Sequence, residues 1–170
     1  MLAFMRLPDQ PFWQTVRQLA WRVFRVFARL YWRLTRPVTL GVRGMVFDEQ
    51  SRVLLVRHSY IAGWYLPGGG VARGETMREA LIRELKEEAG VELLAPARFV
   101  SVFANFREHK SDHVGLFVIG AGSYRLAPKP NMEISELGFF GLGELPVDIS
   151  PATKLRILEI VENRESPDSW

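Results

Sequence analysis

A glycine-rich turn that leads into one helical segment constrains this chain more than any other part of its sequence. The turn is Pro67-Gly68-Gly69-Gly70, and residues 76–89 contain no glycine or proline before Gly90 supplies a helix stop. Glycine lets the backbone approach another group closely, and the N-terminal end of a helix favours negative charge. The pattern therefore predicts a loop and a helix that bring main chain close to an anionic ligand.

Three carboxylates share one arc of this predicted helix. Glu84, Glu87 and Glu88 have the spacing i, i+3, i+4. We expect an adjacent apolar arc to anchor the helix on a sheet: Leu81, Ile82, Leu85 and Ala89. Like charges at this spacing repel by about 0.2–0.5 kcal/mol per pair on an exposed helix. A divalent cation removes that cost, and clustered oxygen ligands favour a hard ion, Mg²⁺ or Mn²⁺.

The same glutamates also fit a solvated acidic face, balanced by nearby basic residues: Arg78, Arg83 and Lys86. The glycine turn directly before the helix favours the metal site over this alternative. Composition narrows the chemistry further. The 170 residues include no cysteine, which excludes a disulfide scaffold, a thiolate zinc site, an iron–sulfur cluster and a catalytic cysteine.

The segment from Gly69 to Val91 resembles the Nudix box of Nudix hydrolases. Every defined position of that signature is matched, by Gly69, Glu75, Arg83, Glu84, Leu85, Glu87, Glu88, Gly90 and Val91. The preceding Leu66-Pro67-Gly68-Gly69 is also similar to the usual approach to the box. The resemblance covers about residues 37–165.

The resemblance implies a fold, a reaction and a set of roles. The fold is an α/β/α sandwich around a mixed β-sheet, and the reaction is Mg²⁺-dependent hydrolysis of a pyrophosphate bond in a nucleoside diphosphate linked to another moiety. It implies metal ligands at the Gly69 carbonyl, Glu84, Glu87 and Glu88. The attacking water loses its proton to a box glutamate, with Glu84 and Glu87 as candidates, or to a downstream acid. The downstream candidates are Glu133 and Glu136, and both also fit ordinary loop charge. We expect Glu75 and Arg83 to form an ion pair that orients the box, which Gly90 ends.

Substrate-binding candidates lie outside the glutamates. Trp64 and Tyr65 precede the glycine turn and are suited to stack on a base, although packing in the core or at its rim explains them equally well. Arg57 and His58 end a predicted strand and could meet a phosphate, although a solvated pair near the surface also explains them. Gly68 and Gly70 could place main chain beside a phosphate. Nudix hydrolases of ADP-ribose often have a proline about 16 residues past the box, and this chain has Phe106 or Arg107 there.

Strand and helix patterns surround the box. We predict strands over 38–47, 53–58, 98–106 and 113–119, a loop over 126–131, a short strand over 138–141 and a helix over 151–163. Mixed strands and helices in this order favour an α/β or α+β architecture.

The N-terminal residues differ in character. Residues 1–36 contain seven arginines and one aspartate, so they carry the positive charge of a chain whose remainder is mildly acidic. We divide the chain into an N-terminal helix over 1–36 and a Nudix domain over 37–170. Residues 11–35 predict an amphipathic helix with arginine and tryptophan, which would lie in a membrane interface, pair two chains or pack on the domain.

The sequence therefore favours a cytoplasmic pyrophosphohydrolase, with membrane association through residues 11–35 as an open alternative. The expected partner is a small nucleoside diphosphate derivative, and no specific nucleic-acid partner is expected. The alternative function is a nucleotide-sensing or membrane-associated scaffold module that keeps the fold without turnover. Loss of box glutamates would favour that alternative, and here all of them are retained.

Overall fold

The computed structural model describes residues 38–106, 111–127 and 132–170. The predicted amphipathic helix over 11–35, with its membrane and dimer contacts, lies outside the described residues. Within the described ranges, no helix is long and apolar enough to cross a membrane.

The described residues form strands that carry the sheet framework of the domain. In chain order they are β1 (Thr39–Val46), β2 (Val53–His58), β3 (Val91–Leu93), β4 (Arg98–Ala104), β5 (Asp112–Ile119), β6 (Tyr124–Leu126) and β7 (Ile134–Phe140). Strand β5 pairs parallel to β1 and antiparallel to β4, which makes this sheet mixed. Strands β2 and β7 form a second antiparallel pair, and β3 and β6 a third.

Helix α1 (Met77–Ala89) is capped at both ends. Thr76 and Glu79 form a reciprocal capping box at its start. Gly90 ends it with φ of 64°, in the left-handed region that glycine adopts most easily. The helix packs tightly on β1, because a Cβ atom at Gly44 would lie 2.8 Å from a methyl group of Leu85.

Two apolar layers lie on opposite sides of the strands. Alternate residues of β1 and β2 enter one layer with α1, as Val42 and Leu54 do, while Met45 and Leu55 enter the other layer. The second layer includes Ile157 of helix α2 (Pro151–Val161). The domain is thus a mixed sheet between helices, which confirms the predicted α/β/α fold class.

Several element predictions need correction. Short strands β3 and β6 were not predicted, and Leu126 ends β6 instead of opening a loop. Strand β7 is longer than the predicted strand over 138–141. Ile82 is 49% exposed, so it does not belong to the buried apolar arc of α1 that the sequence predicted.

Candidate active site

A cleft of about 670 Å³ opens where the glycine turn, α1 and the end of β2 meet. The predicted metal ligands all line it: Gly69, Glu84, Glu87 and Glu88. The helix brings the three carboxylates to one wall, and the turn places Gly69 beside them. The side chains of Glu84 and Glu88 are 14% and 5% exposed, whereas that of Glu87 is 62% exposed. The wall therefore carries carboxylates at different depths.

Glu88 is the deepest of these acids. Its Oε2 atom accepts a hydrogen bond from the Gly68 amide at 2.7 Å. Burial raises the pKa of Glu88 to about 7, with smaller contributions from the charges of Glu84 and Glu133 in the same direction. The Gly68 hydrogen bond and the charge of Arg43 act in the opposite direction. A bound cation would favour the ionised carboxylate at this position.

Arg83 organises the outer part of the wall. Its guanidinium donates two hydrogen bonds to the Glu75 carboxylate, at 2.9 and 3.0 Å, one to Glu84 Oε1 at 2.6 Å and one to the Gly70 carbonyl at 3.0 Å. Glu87 Oε2 lies 3.5 Å from the same group. The ion pair expected between Glu75 and Arg83 is present, and Glu75 raises the pKa of Arg83 above its usual range. Arg83 thereby fixes the direction of Glu84.

The glycine turn leaves no room for side chains at two positions. A Cβ atom at Gly69 would lie 2.4 Å from Glu84 Oε1, and one at Gly68 would lie 2.1 Å from the Val42 carbonyl oxygen. Gly68 also has φ of 142°, which disfavours other residues. The Gly69 carbonyl accepts a hydrogen bond from the Val42 amide at 2.9 Å, so strand β1 holds the turn in place.

The two downstream acids separate. Glu133 lines the cleft, where its carboxylate accepts a hydrogen bond from the Tyr60 hydroxyl at 2.8 Å. This bond raises the pKa of Tyr60 to about 12. Glu136 does not line the cleft; it lies opposite Arg57 in the β2–β7 ladder, with 3.4 Å between its Oε1 and Arg57 Nε. Glu133 is thus the downstream acid that can reach a ligand in the cleft.

Two of the substrate-binding candidates lie away from the cleft. Trp64 is buried in the core against Phe140, and Arg57 lies over the Trp64 ring and binds Asp148 at 2.8 Å. Neither Trp64 nor Arg57 lines the cleft.

The remaining candidates do line the cleft. Tyr65 and Gly70 both contribute to its surface. Gly68 also lines the cleft. Its amide donates a hydrogen bond to Glu88 and its carbonyl accepts one from Arg43, so both main-chain groups already have partners within the protein.

His58, which the sequence placed with Arg57 at a strand end as a candidate phosphate contact, lines the cleft, and so does Arg43, which was not predicted. His58 is 8% exposed and lies between the rings of Tyr60 and Tyr65, at centroid distances of 5.3 and 5.8 Å. Burial lowers the pKa of His58, and Arg43 lowers it further. Arg43 follows Val42, which packs in the layer with α1, so strand alternation directs the Arg43 side chain away from α1. No local pattern predicts the burial of His58, because that burial comes from residues distant in sequence.

Polar residues at the ends of β1, β4 and β5 also border the cleft. The Asn105 amide donates a hydrogen bond to Asp112 at 3.0 Å, and the Thr39 hydroxyl donates one to the same carboxylate at 2.7 Å. Trp170 lines the cleft beside them, although residue 170 is distant in sequence from the box. These residues offer hydrogen bonds and an aromatic edge to a bound ligand.

The donor set fits a hard divalent cation. Glu84, Glu87 and Glu88 supply carboxylate oxygens to one cleft, and the Gly69 cradle holds the Glu84 carboxylate where a methyl group would exclude it. Oxygen donors of this kind suit Mg²⁺ or Mn²⁺. The arrangement can hold cations against a polyanionic ligand.

Comparisons with known proteins agree with this geometry. A family model described as the NUDIX domain matches residues 37–159. A Bacillus subtilis protein provisionally named an 8-oxo-dGTP diphosphatase is 30% identical over 119 residues, covering 70% of this chain and 77% of that protein. Another, provisionally named the ADP-ribose pyrophosphatase YjhB, is 39% identical over 72 residues, or 42% of this chain and 32% of that protein.

The fold has solved counterparts. The crystal structure of a MutT NUDIX hydrolase from Burkholderia pseudomallei superposes with a TM-score of 0.61 at 24% identity, covering 74% of this chain and 99% of that one. The match of the family model over most of the chain, together with the complete box, shows that the chain belongs to the Nudix hydrolase family.

Proposed function

We propose that this Nudix hydrolase splits a phosphoanhydride bond of a nucleoside diphosphate derivative in the cleft beside α1, with Mg²⁺ held by Glu84, Glu87, Glu88 and the Gly69 carbonyl. The observation that carries the proposal is the convergence of these groups on one cleft wall. An acidic wall repels a diphosphate unless cations lie between them. When bound, Mg²⁺ polarises phosphoryl oxygens and lowers the pKa of water.

The protein's own residues supply position and proton transfer. Arg83 holds Glu84 at 2.6 Å, and the Gly68 amide holds Glu88 at 2.7 Å, so two carboxylates are oriented before a substrate arrives. Preorganised groups of this kind cost little reorganisation during the reaction. Arg43 adds a positive charge to the floor of the cleft, where it can face a phosphate.

Glu133 is our candidate for the general base, in preference to Glu136 and to the box glutamates. It lies on the cleft beside the buried end of α1, and its Tyr60 hydrogen bond orients the carboxylate. Glu84 Oε1 is already bound to the Arg83 guanidinium at 2.6 Å, which fixes its direction. A positioned base of this kind contributes about 10²–10⁴-fold to rate.

The rest of the cleft supports a nucleotide as the substrate class. Asn105 and Asp112 present an amide and a carboxylate that can pair with the edge of a base, and Tyr65 or Trp170 can contact its face. The names of the two relatives point to an oxidised guanine nucleotide and to ADP-ribose. We favour the nucleotide, because the longer match carries that name and the proline typical of ADP-ribose hydrolases is missing.

A substrate panel tests the proposal. The full chain is assayed with 8-oxo-dGTP, dGTP, ADP-ribose and a nucleotide sugar, in Mg²⁺ and in Mn²⁺, with products separated by chromatography. We expect cation-dependent turnover that Glu88→Gln lowers by at least about 100-fold. The control is Glu92→Gln, since Glu92 pairs with Lys86 and Arg125 away from the cleft. Binding of the nucleotides without turnover would favour the sensing module instead.

A further inference from the structure

One imidazole beside the box glutamates has a nitrogen that no neighbour satisfies. His58 Nδ1 is buried and has no hydrogen-bond partner among the described residues. Only 6% of the His58 side chain is exposed. A buried polar atom without a partner costs about 1–3 kcal/mol, and such atoms are rare in native proteins. Within the part of the chain that the structure describes, this nitrogen is left open to an ion or another ligand.

The His58 ring lies close to two carboxylates. His58 Nδ1 lies 3.8 Å from Glu88 Oε1, beyond hydrogen-bond range. Donor atoms of His58, Glu88 and Glu133 all lie within 4.8 Å of one another. Two ligands that are each about 2.1 Å from one ion are separated by roughly 3–4 Å. The His58–Glu88 separation matches that spacing, and a modest approach of exposed Glu133 completes the set.

We propose that His58, Glu88 and Glu133 form a cation site that prefers a first-row transition ion such as Mn²⁺ to Mg²⁺. An imidazole nitrogen suits transition ions, whereas Mg²⁺ prefers oxygen donors and keeps its waters. The site shares Glu88 with the wall formed by Glu84, Glu87 and Glu88, but its nitrogen donor makes it chemically different. It rests on the proposed function through two carboxylates: Glu88 is a ligand in both, and Glu133 acts as the base when the nitrogen-containing site is empty and as a ligand when that site is filled.

The surroundings of His58 support a defined ligand direction. The rings of Tyr60 and Tyr65 both contact the His58 ring, and the Tyr60 hydroxyl donates a hydrogen bond to Glu133 at 2.8 Å. Arg43 does not compete for these donors, because its guanidinium donates to the Leu66 and Gly68 carbonyls. The three donors are thus held on one side of the cleft before an ion binds.

Manganese itself is the probe for this site. The metal-free full chain is titrated with Mn²⁺, and pulsed electron paramagnetic resonance detects nitrogen directly bonded to the ion. We expect the signal of a coordinated imidazole in the wild type, its loss in His58→Gln, and at least a tenfold loss of affinity for that ion. His113→Gln is the matched control, because the His113 ring contacts Phe106 and does not line the cleft. It should keep the signal.

Mg²⁺ competition adds a second measurement. Mn²⁺ at the nitrogen-containing site should resist displacement by Mg²⁺ about tenfold better in the wild type than in His58→Gln. If His58→Gln fails to fold by circular dichroism, Glu133→Gln decides, since Glu133 is exposed and its loss should weaken Mn²⁺ binding about tenfold.

A wild-type spectrum without imidazole coupling, coupling that survives His58→Gln, or unchanged binding in Glu133→Gln would overturn the proposal. Missing turnover in the presence of imidazole coupling would instead overturn the proposed function alone.

Discussion

The Glu88 carboxylate accepts a hydrogen bond from the Gly68 amide at 2.7 Å, which joins the end of α1 to the glycine turn. The bond places a buried acid at the floor of the cleft and leaves its second oxygen facing His58 at 3.8 Å. This hydrogen bond fixes the position of the helix relative to the turn, and its strength depends on whether Glu88 is ionised.

The first prediction concerns pH. The pKa of Glu88 rises from an ordinary value of 4.5 to about 7, so between these values the folded protein binds more protons than the unfolded chain. Stability from this group is therefore highest below pH 4.5 and falls as pH rises toward 7. Each tenfold change in proton affinity is about 1.4 kcal/mol, so the metal-free wild type should lose about 3 kcal/mol relative to Glu88→Gln. Urea unfolding in a chelator measures this difference, and parallel pH profiles would contradict it.

The second prediction separates two glycines of the turn. Gly69→Ala should displace the Glu84 carboxylate, because the clash is with the end of a side chain, and should lower turnover at least about tenfold with little change in unfolding temperature. Gly68→Ala should destabilise the fold, because its clash is with the β1 main chain and φ is 142°. Calorimetry and turnover rates are measured on both, with Gly120→Ala as control, since a Cβ there meets nothing within 4 Å. Equal effects of the two turn variants would contradict the assignment.

The third prediction concerns Arg83. Arg83→Lys should weaken Mg²⁺ activation by about 10–100-fold, because lysine cannot reach Glu75, Glu84 and the Gly70 carbonyl together. The cost in stability should stay below about 1 kcal/mol, since the side chain is 35% exposed and solvent screens the pairs. Turnover as a function of Mg²⁺ concentration measures the first effect. Arg78→Lys on the same helix is the control, and a similar loss in both variants would point to a general effect on α1.

The fourth prediction distinguishes the downstream acids. Glu133→Gln should lower the rate constant of hydrolysis by about 10²–10⁴-fold. Glu136→Gln should change it less than about threefold, because Glu136 pairs with Arg57 on the surface in an exposed ion pair. Rate constants at saturating substrate are compared across pH. A larger loss in Glu136→Gln would reverse the assignment of the base.

The fifth prediction concerns the N-terminal residues, which the sequence marks by charge and tryptophan. A chain that starts at Arg36 should lose binding to vesicles containing anionic lipid, or should lose a dimer seen for the full chain, while keeping the turnover of the domain. Vesicle flotation and light scattering measure the two outcomes. Identical behaviour of the full and shortened chains in both measurements would remove this role.

Local patterns were enough to predict the box helix and its carboxylate wall. Thr76 and Gly90 bound α1 through signals read from neighbouring residues, and the spacing of the glutamates fixes their common arc. Such features depend on contacts a few residues apart.

Contacts between residues distant in sequence determine which candidate side chains face the core and which face the cleft. Trp64 and Tyr65 are neighbours in an extended segment paired with Val56, so their rings face opposite sides, and only the packed fold shows which side is the core. The burial of His58 likewise depends on residues from several elements. These positions follow from the assembled fold and from no local pattern.

The β2–β7 ladder contains an irregularity whose consequence reaches the chemistry. Arg57 lies opposite Glu136, but His58 lies opposite Ile134, so Ser135 is an extra residue on β7. Side chains of a strand alternate between faces, so one extra residue shifts the residues before it relative to β2. Glu133 lies directly before β7, so a change of length at Ser135 would move this acid relative to the cleft while leaving the layers of the fold in place.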